Sequence, residues 1–177
     1  MKRLIWRGGE AMQSLAELVV QHQGPLFAYL YRMCGDAGQA EELMQETFLR
    51  ALRAAERYRP EASVCTWLLS IATNLLRDQW RRQKRWGPSL SLDDWLSRAP
   101  ASPDGDVLKG IEYEHVREAL LKLPLEQRSV LLLRYYHDLS YEEIARALSV
   151  PIGTVRSRIH NGLARLKRLL TEEVVVR

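Results

Sequence analysis

Residues 139–170 read LSYEEIARALSVPIGTVRSRIHNGLARLKRLL, and the fold class turns on them. Ser140 is followed three residues later by Glu143, the spacing of a capping box, and Ile144, Ala145 and Leu148 then supply one apolar face. A helix starts here. Ser149-Val150-Pro151 breaks the pattern, and Pro151 suits a first helical position, so a second helix is expected from near Ile152 to about Leu170. Two short helices joined by a tight turn are the helix-turn-helix signature.

A step of about 100° per residue puts Val155, Ile159, Leu163, Leu166 and Leu170 on one side of the second helix. The opposite side carries Ser157, Asn161, Ala164 and Arg168, flanked by Thr154, Arg156, Arg158 and Arg165. Between Glu143 and Glu172 the sequence has no acidic residue, while Arg146, Arg156, Arg158, Arg165, Lys167 and Arg168 all fall in that window. Such a helix fits the DNA major groove, where arginine pairs with guanine edges and asparagine with adenine while other basic residues hold phosphates by counterion release. A solvated basic face would serve as well for an isolated amphipathic helix. The capped helix and proline turn in front favour DNA.

At 177 residues and 46% hydrophobic content the chain is long and apolar enough for one or two folded domains. Its 26 basic and 22 acidic residues leave a net charge of +4, so local clustering carries more information than the total. MKRLIWRGGE at the start lacks the long apolar run of a secretion signal, and no segment approaches a membrane span; no membrane insertion and a cytoplasmic location are expected. Cys34 and Cys65 form neither a CxxC pair nor a disulfide framework and read as two buried structural thiols. His22, His115, His137 and His160 are scattered, so neither a metal site, a catalytic centre nor a cofactor is expected.

From Met12 to about Cys34, Leu15, Leu18, Val19, Leu26, Phe27, Leu30 and Met33 recur at helical spacing, and Gly24-Pro25 marks a break or kink between two helices. Gly35-Asp36 closes this segment, and Asp36 can cap the next helix, with Ala40, Leu43, Met44, Thr47, Phe48, Ala51 and Leu52 on its apolar face. Glu41, Glu42, Gln45 and Glu46 occupy the other face, followed by Arg50 and Arg53. Acid first and base last suits the helix dipole without any partner, and the same acceptors could dock on a basic surface. Residues 58–63 are loop-like. Val64, Trp67, Leu68, Ile71, Leu75 and Leu76 then give a buried stripe whose helix turns basic at Arg77, Arg81, Arg82, Lys84 and Arg85, with Trp80 and Trp86 interleaved. Guanidiniums that follow phosphates and rings that stack on unpaired bases suit single-stranded nucleic acid.

Residues 87–110, GPSLSLDDWLSRAPASPDGDVLKG, hold three prolines, three glycines and four aspartates against one arginine and one lysine. This is a linker, about 25 to 30 Å as a flexible coil and at most about 80 Å extended, in which residues 91–96 could form one helical turn. Beyond it Val116, Leu120 and Leu123 mark one short helix. Leu125 to about His137 marks another, with Val130, Leu131, Leu132 and Leu133 as the core under the helix-turn-helix. No segment shows sustained strand alternation. The expected fold is all-α, with two helical domains (1–86 and 111–177) joined by a flexible linker (87–110).

AEELMQETFLRALRAAERYRPEASVCTWLLSIATNLLRDQWRRQKR resembles region 2, and LPLEQRSVLLLRYYHDLSYEEIARALSVPIGTVRSRIHNGLARLKRLL resembles region 4, of bacterial RNA polymerase sigma factors of the extracytoplasmic-function group in the sigma-70 family. The resemblance implies a transcription initiation factor and not an enzyme. Its implied partners are core RNA polymerase (beta-prime clamp helices and beta flap), promoter DNA in duplex and single-stranded form, and an anti-sigma factor. It further implies that Asp36, Glu41, Glu42, Gln45 and Glu46 bind polymerase. Tyr58, Arg59, Asn74, Arg77, Trp80, Arg81, Arg82, Lys84 and Arg85 would act at the minus 10 element, and Thr154, Arg156, Ser157, Arg158, Asn161, Arg165 and Arg168 at the minus 35 element. Asn161-Gly162 departs from the basic residue and alanine common in that family. Gly162 costs a helix interior about 1 kcal/mol against alanine and could either permit close helix packing or end the reading helix early.

Overall fold

A computed structural model describes residues 5–8, 11–55, 58, 62–86 and 107–175, with the side chains of 5–16, 83–86, 107–113 and 173–175 left aside. Among the described residues there are seven helices and one short hairpin: β1 (Ile5–Gly8), β2 (Ala11–Ser14), α1 (Leu15–Cys34), α2 (Ala37–Arg53), α3 (Val64–Trp86), α4 (Val107–Leu121), α5 (Leu125–Tyr135), α6 (Tyr141–Leu148) and α7 (Ile152–Val175). The architecture is all-α apart from that hairpin, in which Ile5 pairs with Ser14 and Gly8 with Ala11 in antiparallel register. Four-residue strands are too short to show a period of two, so sequence periodicity missed them. The Gly8-Gly9 dipeptide in the sequence was the available signal. The first helix accordingly begins at Leu15, not Met12.

The expected break at Gly24-Pro25 does not occur: α1 runs unbroken through Pro25. Proline has no backbone N–H to give to the preceding turn and typically costs a helix interior about 3 kcal/mol. Here Gly24 and Pro25 face solvent, while Leu18, Leu26, Tyr29, Leu30 and Met33 keep one stripe buried on both sides of them. Continuous burial offsets the local penalty. Gly35, at φ 77°, then ends α1 as glycine can, and the Asp36 side chain accepts from the Gln39 backbone N–H at 2.7 Å to start α2.

Helices α1, α2 and α3 pack on one another, and α4, α5 and α6 gather round α7. Between the two groups α1 meets α4 and α5, and α3 meets α6. Buried side chains of both groups form one continuous core. Within the second group α5 is central, with Leu125 and every residue from Arg128 to Leu133 buried. Helix α4 begins at Val107, so the last four residues of the expected linker, including Gly110, are helical; residues 87–106, with the proposed turn at 91–96, lie outside the described residues. Cys34 is buried and Cys65 only half-buried, which corrects the expectation of two buried thiols. Burial pushes the Cys34 thiol up to about 11. No helix among the described residues is long and apolar enough to cross a membrane.

Candidate polymerase and nucleic-acid surfaces

The helix-turn-helix forms as its residues require. Ser140 and Glu143 make the reciprocal capping box: the Glu143 backbone N–H donates to Ser140 Oγ at 3.2 Å, and Glu143 Oε2 accepts from the Ser140 backbone N–H at 2.8 Å. The Ser140 backbone N–H, and after it the Ser140 hydroxyl, which also donates to Oε2 at 2.8 Å, hold the Glu143 carboxyl below its ordinary value. Ser149 closes α6 in the left-handed region at φ 52°, and its N–H and that of Val150 return to carbonyls of the last α6 turn. Pro151 stands just ahead of α7, its carbonyl accepting from Thr154 and Val155 N–H groups.

Helix α7 passes through Gly162 without interruption to Val175. Gly162 is buried, and a Cβ there would lie 3.1 Å from Leu131 Cδ1 and 3.4 Å from Gln127 Cβ. The glycine is where α7 lies close on α5. Val155 and Ile159 are buried as expected, but Leu163 is 40% exposed and Leu166 and Leu170 are half-buried. Leu163, Leu166, Lys167, Leu170 and Thr171 instead line an open apolar groove of about 520 Å³. The packed stripe narrows because α7 extends past the helices that cover its first half.

Arg156, Ser157, Asn161, Arg165 and Arg168 are exposed on α7, and Thr154 and Arg158 half-exposed. At helical spacing Ser157, Asn161 and Arg168 share one line, with Thr154, Arg158 and Arg165 on one flank and Arg156 on the other. Gly153 and His160 are exposed on the same face and were absent from the expected set. Their signal was available in the helical spacing itself, since both lie within about 60° of Ser157.

On α3, Asn74, Arg77 and Arg81 line up at intervals of three and four, and Trp80 and Arg82 flank them. Asn74, Arg81 and Arg82 are exposed, and Trp80 is 44% exposed. Arg77 differs from its neighbours: Nη1 donates to the Leu148 carbonyl at the end of α6, at 3.3 Å. Tyr58 donates its hydroxyl to the Ala62 carbonyl at 2.6 Å and packs edge-on against Trp67, centroids 5.2 Å apart, so it braces the loop ahead of α3. Arg59 lies outside the described residues, and Lys84 and Arg85 lie in α3 with side chains outside them.

The third surface is the outer face of α2. Ala40, Leu43, Thr47, Phe48 and Ala51 turn inward, leaving Glu41, Glu42 and Gln45 exposed and Glu46 half-exposed. Glu46 pairs with Arg50 at 2.8 Å. Asp36 stands apart from this row because its carboxylate caps the helix. Among the described residues no group of three or more His, Cys, Asp or Glu is placed to hold a metal ion.

Sequence comparison aligns these surfaces with two family descriptions: Sigma-70 region 2 matches residues 18–85 and Sigma-70, region 4 matches residues 113–166. ECF RNA polymerase sigma factor SigW of Bacillus subtilis is 32% identical over 90% of this chain and 90% of its own length. The chain belongs to the extracytoplasmic-function sigma factors of the sigma-70 family. It is thus a sigma factor of transcription initiation, and members of this family are transcription factors rather than enzymes. ECF RNA polymerase sigma factor SigE of Mycolicibacterium smegmatis is 38% identical over 92% of this chain, which spans 63% of that relative's length. In fold the chain is similar to the sigma factor RpoE of Bartonella quintana, solved in complex with the anti-sigma factor NepR, at a TM-score of 0.71 over 88% of this chain and 96% of that one, with 22% identity. It is also similar to CnrH, solved with the cytosolic domain of CnrY, at 0.65 over 92% and 91%, with 22% identity.

Proposed function

We propose that this sigma factor binds core RNA polymerase in the cytoplasm, brings it to promoters with minus 35 and minus 10 elements, and helps to melt the start region. The observation that carries the reading is the separation of three surfaces on one chain: an acidic α2 face, a basic α3 face bearing an exposed tryptophan, and a basic α7 face without acidic residues between Glu143 and Glu172. The α2 face, Glu41, Glu42, Gln45 and Glu46, docks on the beta-prime clamp helices, with Asp36 shaping its start. The second helical group meets the beta flap. Arg156, Ser157, Arg158, Asn161, Arg165 and Arg168 on α7 read duplex DNA, because a helix of this kind fits the major groove and its arginines offer two donors to guanine. Asn74, Arg77, Trp80, Arg81 and Arg82 on α3, with the loop at Tyr58 and Arg59, hold the separated strand, since guanidiniums pair with phosphates and an exposed ring stacks on an unpaired base. Residues 1–86 and the helical group that begins at Val107 act as two modules joined through 87–106, and an anti-sigma factor that covers these surfaces keeps the protein inactive.

The test is transcription in vitro with purified core polymerase and this protein on a genomic promoter library. Protein-dependent start sites sharing two spaced upstream elements are the expected result. Their absence, with an authentic sigma factor active in the same preparation, would overturn the proposal.

A further inference from the structure

We propose that the apolar groove on the second half of α7 is the docking site of the chain's own residues 91–96, with Leu92, Trp95 and Leu96 set against its leucines and Asp93 and Asp94 toward Lys167. Every residue that lines the groove, Leu163, Leu166, Lys167, Leu170 and Thr171, belongs to α7. Leu163 is 40% exposed, and Leu166 and Leu170, about one and two turns further on, are half-buried. The lining holds one cation and no acid. It therefore suits an apolar occupant that carries negative charge.

Residues 91–96 read SLDDWL. They lie outside the described residues, and their sequence matches the groove in both respects. Leu92, Trp95 and Leu96 stand at i, i+3 and i+4, the spacing of one helical face, and the two aspartates between them meet no cation in the same six residues. With Leu90 they are the large apolar residues of 87–106, and a tryptophan supplies more contact area than any other side chain could. The tether is long enough. Residues 97–106 reach at most about 35 Å, against about 21 Å for the whole of α4, and α4 packs on α7. A second copy of the chain fits less well. Its α7 would bring Arg156, Arg158, Arg165, Lys167 and Arg168 against the same set, with Glu172 as the one acid from 152 to 172, and its acidic α2 row has only Leu49 exposed among large apolar residues. Ser157, Asn161 and Arg168 point to the other side of α7, so an occupied groove leaves that line clear. A protein that uses the groove would have to displace residues 91–96.

The test measures binding of a fluorescent peptide of residues 87–106 to two full chains by anisotropy. One is the wild type; in the other, residues 91–96 are replaced by an equal length of Gly and Ser. A short flexible tether gives an effective concentration of order 1 mM, so a segment that binds in trans near about 0.1 mM competes about tenfold from within the chain. The peptide is thus expected to bind the Gly/Ser chain about tenfold more tightly than the wild type. Leu163→Ser with Lys167→Glu in the Gly/Ser chain should weaken binding at least about fivefold; circular dichroism identifies folded variants, and if this pair unfolds the chain, Lys167→Glu alone carries the test. A peptide with Asp93→Lys and Asp94→Lys should bind the Gly/Ser chain more weakly and recover at least half of the loss on Lys167→Glu. Equal binding to both chains, or none to the Gly/Ser chain at about 1 mM peptide, overturns the proposal. So does binding unaffected by folded groove variants. Light scattering that shows the Gly/Ser chain to be a dimer which the peptide does not dissociate would make a second copy the occupant and overturn it as well.

Discussion

Gly162 of α7 lies so close to Leu131 of α5 that a Cβ at 162 would stand 3.1 Å from the leucine Cδ1 and 3.3 Å from its Cγ. Two effects of similar size oppose each other on substitution. Alanine favours the helix by about 1 kcal/mol, whereas overpacking a filled core costs about 1 to 3 kcal/mol, and Leu131 is itself buried. Gly162→Ala is therefore expected to leave unfolding free energy within about 1 kcal/mol of wild type, and Gly162→Val to lower it by about 2 kcal/mol or more. Urea denaturation measures both. A valine variant as stable as wild type would mean that the close approach constrains nothing.

The Ser140 and Glu143 pair predicts a cap-dependent loss. Ser140→Ala removes the acceptor of the Glu143 backbone N–H and should cost about 1 kcal/mol, while Ser140→Asp, also a good cap, should lose less than half of that. The Glu143 carboxyl is held below its ordinary 4.5, chiefly by the Ser140 backbone N–H. A depressed carboxyl contributes stability above its unfolded pKa and loses it as pH falls through the folded value. The wild type should thus show an added loss of melting temperature below about pH 4.5 that Glu143→Gln lacks; parallel curves would refute the assignment.

His137 and His22 predict a second pH response, nearer neutrality. Burial lowers His137, and Arg32 lowers it further against the opposing effect of Asp138; burial alone lowers His22. Because the folded pKa values lie below 6.5, the unfolded chain binds more protons between those values and 6.5, so stability is full above this window and falls as pH descends through it. Melting temperature should drop between pH 7.5 and 5.5, and His137→Phe with His22→Gln should flatten that drop. A wild type equally stable at both values would contradict it.

The sequence announced local structure better than assembly. The capping box, the break at Ser149 to Pro151, the Asp36 cap and the inward face of α2 are written in neighbouring residues, and each formed as its spacing required. Pro25 misled because a local penalty was outweighed by burial on the opposite side of the helix, which no window of neighbours reveals. Leu163 was expected in the core because periodicity assigns a face but not the point where the covering helices end. Arg128 was missed although it falls on the stripe of Leu125 and Leu132. A buried cation requires acceptors, and the decisive one, the Met33 carbonyl, lies 95 residues away in sequence. The α3 and α7 faces were legible as basic surfaces, but nothing in them indicated that Arg77 is engaged by α6.

The two basic faces predict separable defects. Arg156→Ala or Arg158→Ala should weaken binding to a duplex carrying the upstream element by about 1 to 3 kcal/mol if the residue reads a base, and Arg168→Ala, if it holds phosphate, should mainly reduce the salt dependence. Arg81→Ala with Arg82→Ala should leave duplex binding near wild type and slow formation of the heparin-resistant open complex. Equal loss of both steps in every variant would remove this division between α3 and α7.

Asp36 and the acidic row of α2 predict a separation between capping and docking. The Asp36 carboxylate is engaged by the Gln39 N–H, whereas Glu41 and Glu42 are exposed one turn further on. Asparagine caps a helix as well as aspartate does and loses only the charge near the helix start, a term of about 0.3 to 1 kcal/mol. Asp36→Asn should therefore cost less than about 1 kcal/mol of stability, and Asp36→Ala about 1 kcal/mol through the lost cap. If the row is the docking face, Glu41→Lys with Glu42→Lys should weaken competition for core polymerase about tenfold or more, most strongly at low salt, while Asp36→Asn changes it less than about threefold. A larger loss of polymerase affinity from Asp36→Asn than from the double lysine variant would move the docking surface from the middle of α2 to its first turn.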